Sequence, residues 1–303
     1  MVNLLTVLGH TAAGKTAFAA QLAHRLGGEI ISADSRQVYR GMDIGTGKDY
    51  EDYQVGKTRV PVHLIDILDA GYEYNVYLFK QDFLKVFTDI SERNLLPVMC
   101  GGSGLYLESV LRNYKLLNVP INEELREGLK DKSPGELEAM LKLYGPLHNI
   151  SDTVSSKRMI RAIEIAVFQA TSDEDSGEER ELNSLVLGIR FEREHRRRRI
   201  TQRLNTRLKE GLIEEVDQLM AQGISPEKLD YYGLEYRYVS KYLLNELSRE
   251  EMFRKLNTAI HQFAKRQMTY FRGMEKRGIA IHWLQGEDSM EEKIQQALAL
   301  LNS

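Results

Sequence analysis

Short apolar runs alternate with helical periodicity through the first hundred residues. Leu4–Leu8 ends at Gly9, Glu29–Ala33 ends at Asp34, and Leu95–Cys100 ends at Gly101-Gly102. Val62–Ile67 surrounds His63-Leu64-Ile65-Asp66. Between them Thr16–Leu26 and Tyr77–Arg93 carry a helical spacing of apolar positions. Strands that are apolar almost throughout have both faces covered, and strands alternating with helices form parallel sheets. From Asn122 to about Ala170 the alternation stops, and three helical segments follow one another: Asn122–Lys132, Pro134–Tyr144 and Thr153–Gln169. A further strand, Leu185–Phe191, precedes an almost wholly helical stretch to Met274. A weak strand, Ile279–Leu284, and an amphipathic helix close the chain. The pattern predicts an α/β core, residues 1–115 and 184–303, interrupted by a small all-helical insertion, 116–183.

Length changes this picture little. The 303 residues are about two domains' worth, here arranged as a core and an insertion rather than in series. The single Cys100 excludes a disulfide framework and a Cys-rich zinc site. With no signal sequence and no run of 18 apolar residues, a cytoplasmic location is expected, with no membrane partner.

Charge changes it more. A net charge of −3 argues against a nucleic-acid partner. The total hides the layout. Residues 173–181 hold six acids and one Arg, a solvated loop by composition. Residues 190–209 hold nine Lys and Arg against two Glu, a local charge of +7. From within that stretch and beyond it, Ile200, Leu204, Leu208, Leu212 and Val216 recur every four residues as an apolar stripe. Arg199, Arg203 and Arg207 form a parallel ridge beside it. Such a patch supports salt-sensitive phosphate binding even on an acidic protein.

The candidate chemistry begins at Gly9-His10-Thr11-Ala12-Ala13-Gly14-Lys15-Thr16, which fits GxxxxGK[ST] between an apolar strand and a helix. In this phosphate loop (P-loop), backbone N–H groups and the helix N-terminus face an anion. Lys15 reaches its terminal phosphate, and the Thr16 hydroxyl is suited to Mg²⁺. The motif does not say what is transferred. Neither a good metal-binding Asp after four apolar residues nor a guanine-reading Asn-Lys-x-Asp is present, which lowers hydrolytic switches. Asp34 ends the neighbouring strand, where ligands of open parallel sheets bind, so its carboxylate is a candidate general base. A helix cap would account for the same residue.

Beyond the P-loop come Asp34-Ser35-Arg36-Gln37-Val38-Tyr39-Arg40-Gly41, Asp43-Ile44-Gly45-Thr46, His63-Leu64-Ile65-Asp66 and Gly101-Gly102-Ser103-Gly104-Leu105-Tyr106. Lys157-Arg158-Met159-Ile160-Arg161-Ala162-Ile163-Glu164 follows, then Arg203 with Gly211-Leu212 and Glu214-Glu215-Val216, then Ala264-Lys265-Arg266-Gln267 with Phe271-Arg272. In this order the motifs resemble the tRNA dimethylallyltransferases (tRNA isopentenyltransferases), of bacterial type, with a P-loop NTPase-like fold. The resemblance implies transfer of a dimethylallyl group from dimethylallyl diphosphate to the N6 amine of the adenosine 3′ of the anticodon. It also implies that Gly9 to Thr16 hold the leaving diphosphate with Mg²⁺, and that the protein is a monomer.

By the same resemblance Asp34 accepts the amine proton, and Arg203 contacts the diphosphate. Ser103 stands in the substrate pocket where Thr is usual. Asp34, Ser35, Arg36 and Gln37 meet the flipped base, and Lys157, Arg158, Met159, Ile160 and Arg161 meet the tRNA. Lys265, Arg266 and Arg272 form a second basic group, which a solvated helix face would equally explain. Single-stranded anticodon loops are read in this splayed form.

The chain departs from the family pattern at several points. His10 replaces Pro with the backbone donors kept. Ala170-Thr171-Ser172 replaces a Thr-Gly-basic-Pro sequence. Tyr232-Gly233-Leu234-Glu235-Tyr236-Arg237 replaces Gly-Tyr-basic-Glu, with Glu235 at the glycine, and is expected to face tRNA. Rival readings are an isopentenyltransferase acting on free adenine nucleotides, a small-metabolite P-loop kinase, and an RNA-binding protein with a vestigial P-loop.

Overall fold

A computed structural model of the chain describes residues 2–144, 155–171 and 182–302. It divides into a larger unit, Met1–Tyr114 with Glu181–Ser303, and a smaller one, Lys115–Arg180.

The larger unit is built on a six-stranded sheet in which every pairing is parallel. Its strands are β1 (Leu4–Gly9), β2 (Gly28–Ser32), β5 (Val62–His63), β6 (Leu96–Gly101), β7 (Ser184–Arg190) and β8 (Ile281–Gln285). They run in the order β5-β2-β6-β1-β7-β8. A separate two-residue ribbon, β3 (Gln54–Val55) with β4 (Thr58–Arg59), lies outside the sheet and leaves no apolar run to read.

Alternate side chains of each strand enter two different cores. Leu4 and Leu8 of β1 join Ile31, Met99 and Val186 on one face. Leu5 and Val7 join Ile30, Val98, Leu187 and Ile189 on the other. The second face is covered by α1 (Lys15–Leu26) and α12 (Met290–Leu301), through Phe18, Leu22, Ile294 and Ala297. The first face is covered by α2 (Val76–Glu92) and α3 (Gly104–Leu111). The later helices α7 (Arg193–Lys209), α8 (Leu212–Ala221), α9 (Pro226–Tyr232), α10 (Leu234–Leu243) and α11 (Arg249–Lys276) complete it.

Two expectations of regular structure need correction. The strand expected over Val62–Ile67 stops at His63. Leu64 and Asp66 have φ of 61° and 54°, and the Ile67 and Leu68 N–H groups donate to Val38 O, so the chain leaves the sheet. The stripe from Ile200 to Val216 lies on two helices rather than one. Gly211 at φ 107° breaks the helix between Lys209 and Leu212.

The smaller unit holds α4 (Glu123–Leu129), α5 (Pro134–Lys142) and α6 (Ser156–Thr171), packed on Leu129, Leu137, Leu141, Met159 and Ile163. Ser133 and Ser225 cap α5 and α9 ahead of a proline, and reciprocal Ser–Glu capping boxes open α5, α11 and α12. The acidic tract and the start of the helix expected from Thr153 fall outside the described residues.

Candidate active site at the carboxyl ends of the strands

Because all six strands run in parallel, β1, β2 and β6 end on one side of the sheet. The loop from β1 to α1 is the phosphate loop. Gly14 at φ 76° turns it into the helix, a conformation glycine adopts without steric cost. The N-terminus of α1 carries no side-chain cap, so its first-turn N–H groups face outward for an anion. Lys15 Nζ donates to His10 O at 2.9 Å. Burial lowers its pKa, opposed by Cys100 and Asp34, and Arg203 adds to the lowering. Thr16 is half-buried in the same turn.

Not every donor of Gly9 to Thr16 is open to a ligand, which corrects the expectation for the loop as a whole. Thr11 N–H donates to Gln267 Oε1 at 2.8 Å, and Ala13 N–H to His10 O at 3.3 Å. Gln267 Nε2 in turn donates to Gly102 O at 3.0 Å, so one α11 side chain ties the phosphate loop to the loop after β6. His10 does more than conserve backbone donors. Its ring is fully buried, with Nδ1 2.6 Å from Thr11 O and an edge contact to Phe191. Burial lowers its pKa to about 4, so it is neutral at pH 7.

After β2, Asp34 Oδ1 accepts the Arg36 N–H at 2.9 Å. Ser103 Oγ accepts the Ser35 N–H at 3.1 Å. Gln37 accepts from Ser32 Oγ and donates to Gly47 O. The Arg36 guanidinium lies 4.5 Å from the centre of the Tyr231 ring. The segment that follows is pinned by buried charge. Lys48 pairs with Asp43 and Asp66, and Tyr50 donates to Asp66. Glu215 accepts the N–H groups of Asp43, Ile44 and Gly45 at 2.8, 2.6 and 2.9 Å, and the Tyr236 hydroxyl at 2.8 Å.

The arginine ridge closes over this loop. Arg203 Nη2 donates to Asp49 Oδ2 at 2.7 Å, and Arg207 Nη2 stands 3.8 Å from the same oxygen. Thr11, Ala12, Ile200, Arg203, Leu204, Arg207, Glu235 and Ile260 line one narrow cleft. Glu235 therefore lies beside the phosphate loop, a place the motif comparison does not reveal. Burial raises its pKa, and Arg207 and Arg203 oppose that rise.

The residues expected to meet tRNA divide into three groups. Arg36 and Gln37 stand beside Asp34 and Ser103. Lys157 and Arg158 are exposed on α6, but Met159 is 2 % exposed in the core of the smaller unit and Ile160 packs against it. Their apolar side chains are spent on that core. Arg161 donates to Glu164 Oε2 at 2.5 Å and to Val119 O at 2.8 Å, so its guanidinium ties α6 to the segment before α4 rather than standing free. Lys265, Arg266 and Arg272 are exposed on α11. Arg272 lies close enough to Arg196 on α7 to lower its pKa further, after burial. The two basic groups, far apart in sequence, meet on one surface of the larger unit.

Gln267 and Glu215 lie in the quoted motifs and Glu235 in a departure from them, but the sequence assigned no site role to these three or to Asp49. Only the Arg199-Arg203-Arg207 spacing offered a signal for Arg207. Among the described residues no group of three or more His, Cys, Asp or Glu could hold a metal ion.

Fold and site together define a P-loop protein with its phosphate loop at the strand ends of a parallel sheet. The chain belongs to the IPP transferase family, whose model matches residues 37–274. It is 53% identical over 301 residues to tRNA dimethylallyltransferase 1 of Parabacteroides distasonis, covering 99% of this chain and 98% of that protein. It is 55% identical over 292 residues to tRNA dimethylallyltransferase 2 of Bacteroides fragilis, covering 96% and 95%. Among solved structures it is similar to the tRNA isopentenylpyrophosphate transferase of Bacillus halodurans, at 30% identity and a TM-score of 0.71, covering 100% of this chain and 96% of that one.

Proposed function

We propose that the protein transfers a dimethylallyl group from dimethylallyl diphosphate to the N6 amine of the adenosine 3′ of a tRNA anticodon. The observation that carries this reading is the convergence of Asp34 and Arg203 on Lys15 at one end of the sheet, both within electrostatic reach of its ammonium group. Two full-length relatives named tRNA dimethylallyltransferase support it.

The chemistry follows from the charges. The bond between the allylic carbon and the diphosphate oxygen breaks, and its electron pair leaves with the diphosphate. Lys15, Arg203 and the open N–H groups at the start of α1 stabilise that growing charge. The Thr16 hydroxyl would hold Mg²⁺, which would add to the neutralisation of the diphosphate charge. The adenine N6 lone pair attacks the allylic carbon. Asp34 takes the amine proton, while its Oδ1 also accepts the Arg36 N–H that orients the carboxylate. Ser103 holds Ser35 N–H and so fixes the backbone beside that carboxylate.

The target base has to leave the stack to reach Asp34. Arg36 over Tyr231 presents a planar surface beside that carboxylate, suited to a splayed base. Lys157 and Arg158 of the insertion, with Lys265, Arg266 and Arg272 of α11, are suited to RNA phosphates. Among the described residues no helix is long and apolar enough to cross a membrane.

Incubation with dimethylallyl diphosphate, Mg²⁺ and an anticodon stem-loop, followed by nucleoside mass spectrometry, tests the reading. Appearance of dimethylallyl-adenosine at that position is expected. Transfer to AMP, ADP or ATP alone, or phosphorylation without prenyl transfer, would overturn it.

A further inference from the structure

Arg207 is a costly residue as it stands. Its side chain is 8% exposed, and Nη2 is fully buried with no hydrogen-bond partner. Buried polar groups are almost always satisfied, and an exception calls for a missing ligand or water. Asp49 does not repair it. That carboxylate is taken by Arg203 at 2.7 Å and stays 3.8 Å from Arg207.

The approach of both guanidinium groups is built into the backbone. A Cβ at Gly47 would fall 2.1 Å from Arg207 Nη2 and 2.4 Å from Arg203 Nη2, and Gly47 has φ 76°. Two like charges are thus pressed together against one glycine, at a cleft whose other wall includes Thr11 and Ala12 of the phosphate loop. Burial and Arg203 together lower the Arg207 pKa to about 10, with Glu235 and Asp49 opposing, and the group remains charged at pH 7. A paired cation of this kind is stabilised by an anion with several charges and several acceptor oxygens.

We propose that Arg207 is a second guanidinium donor to the diphosphate, acting with Arg203 from the ridge of α7, and that Glu235 is the carboxylate that competes for it until the anion arrives. This rests on the function proposed above. It goes beyond that reading in placing Arg207 and Glu235, neither of which the motifs mark as diphosphate residues, in the same binding event.

Equilibrium binding of inorganic pyrophosphate with Mg²⁺ to the full-length protein tests it, with titration calorimetry as the readout. R207M should weaken pyrophosphate binding about ten- to a hundred-fold while leaving affinity for tRNA alone unchanged. R207K, which keeps the charge but loses the fork, should fall between the two. E235Q should bind pyrophosphate several-fold more tightly, and the gain should vanish in R207M/E235Q, because the two residues act on each other. R207M binding pyrophosphate like the parent protein overturns the proposal, and so does an E235Q gain that persists without Arg207. Thermal melts identify a variant that fails to fold, and R207K then carries the comparison. The parent protein's transfer assay reads the function separately: loss of prenyl transfer with intact Arg207-dependent pyrophosphate binding would reject the function and keep this inference.

Discussion

Asp34 is held by its own loop: the Arg36 N–H donates to one of its carboxylate oxygens. Asp34→Asn keeps the size and the hydrogen bond but removes the base. A general base contributes about 10²–10⁴-fold, so kcat should fall by that factor while tRNA affinity is retained. Rapid-quench measurement of a single turnover checks this, and a variant as fast as the parent would exclude Asp34 as the proton acceptor. Ser103→Ala should act more mildly, through the Ser35 backbone, and Ser103→Thr should retain activity because the hydroxyl is kept. Asp34 was legible because a charged residue ending an apolar strand has a defined place over a parallel sheet. Glu235 stood out only as a departure expected to face tRNA, and its place in the cleft beside the phosphate loop was not legible. Its environment is made by Arg207 and the phosphate loop, which only tertiary packing brings to it.

The elements show the same division between local and distant causes. The strand and helix signals around the phosphate loop are continuous runs and cost nothing to read. Val62–Ile67 misled because its apolar residues pack beside the Gln37–Val38 loop instead of extending the sheet. In the smaller unit, Glu164 is the organising residue. Burial would raise its pKa, but Arg126, Arg161 and the Asn122 N–H outweigh burial and hold it at about 2. A carboxylate with a depressed folded pKa contributes stability above its unfolded value, near 4.5, and that contribution is lost as pH falls through about 2. Glu164→Gln should therefore destabilise α6 on the order of 2 kcal/mol at pH 7, below the usual effect of breaking a buried pair because both arginines remain about a third exposed. Parent and variant should converge near pH 2. Carboxyl NMR titration of Glu164 provides the check, and a midpoint near 4.5 would remove this role. Glu215 makes a parallel case in the larger unit. Glu215→Ala strips acceptors from three successive N–H groups, so hydrogen exchange of Asp43, Ile44 and Gly45 should accelerate ahead of the rest of the unit.

At the scale of the whole molecule, net charge and local field point in opposite directions. The chain is acidic at −3, yet Arg193, Arg197, Arg198 and Arg199 are exposed along α7, with Lys265, Arg266 and Arg272 exposed on α11. Mutual influence between Arg196 and Arg272, and of Arg196 and Arg197 on His261, ties the two helices into one basic surface. The sequence revealed each group but not their union, because α7 and α11 are brought together only by packing over a shared apolar core. Screening acts over about 10 Å at 0.1 M salt, so this surface is felt locally while the acids elsewhere are not. If it holds tRNA phosphates, log Kd should change linearly with log salt concentration. Each lysine or arginine removed from a phosphate contact should then flatten the slope by about 1. Arg197→Ala and Lys265→Ala each test one helix, and the double variant should lose the sum of both effects for tRNAs of any anticodon sequence. Fluorescence anisotropy across a salt series measures this. A loss of affinity with an unchanged slope would place these side chains off the phosphate path, whereas a loss confined to one tRNA would mean that they read bases instead.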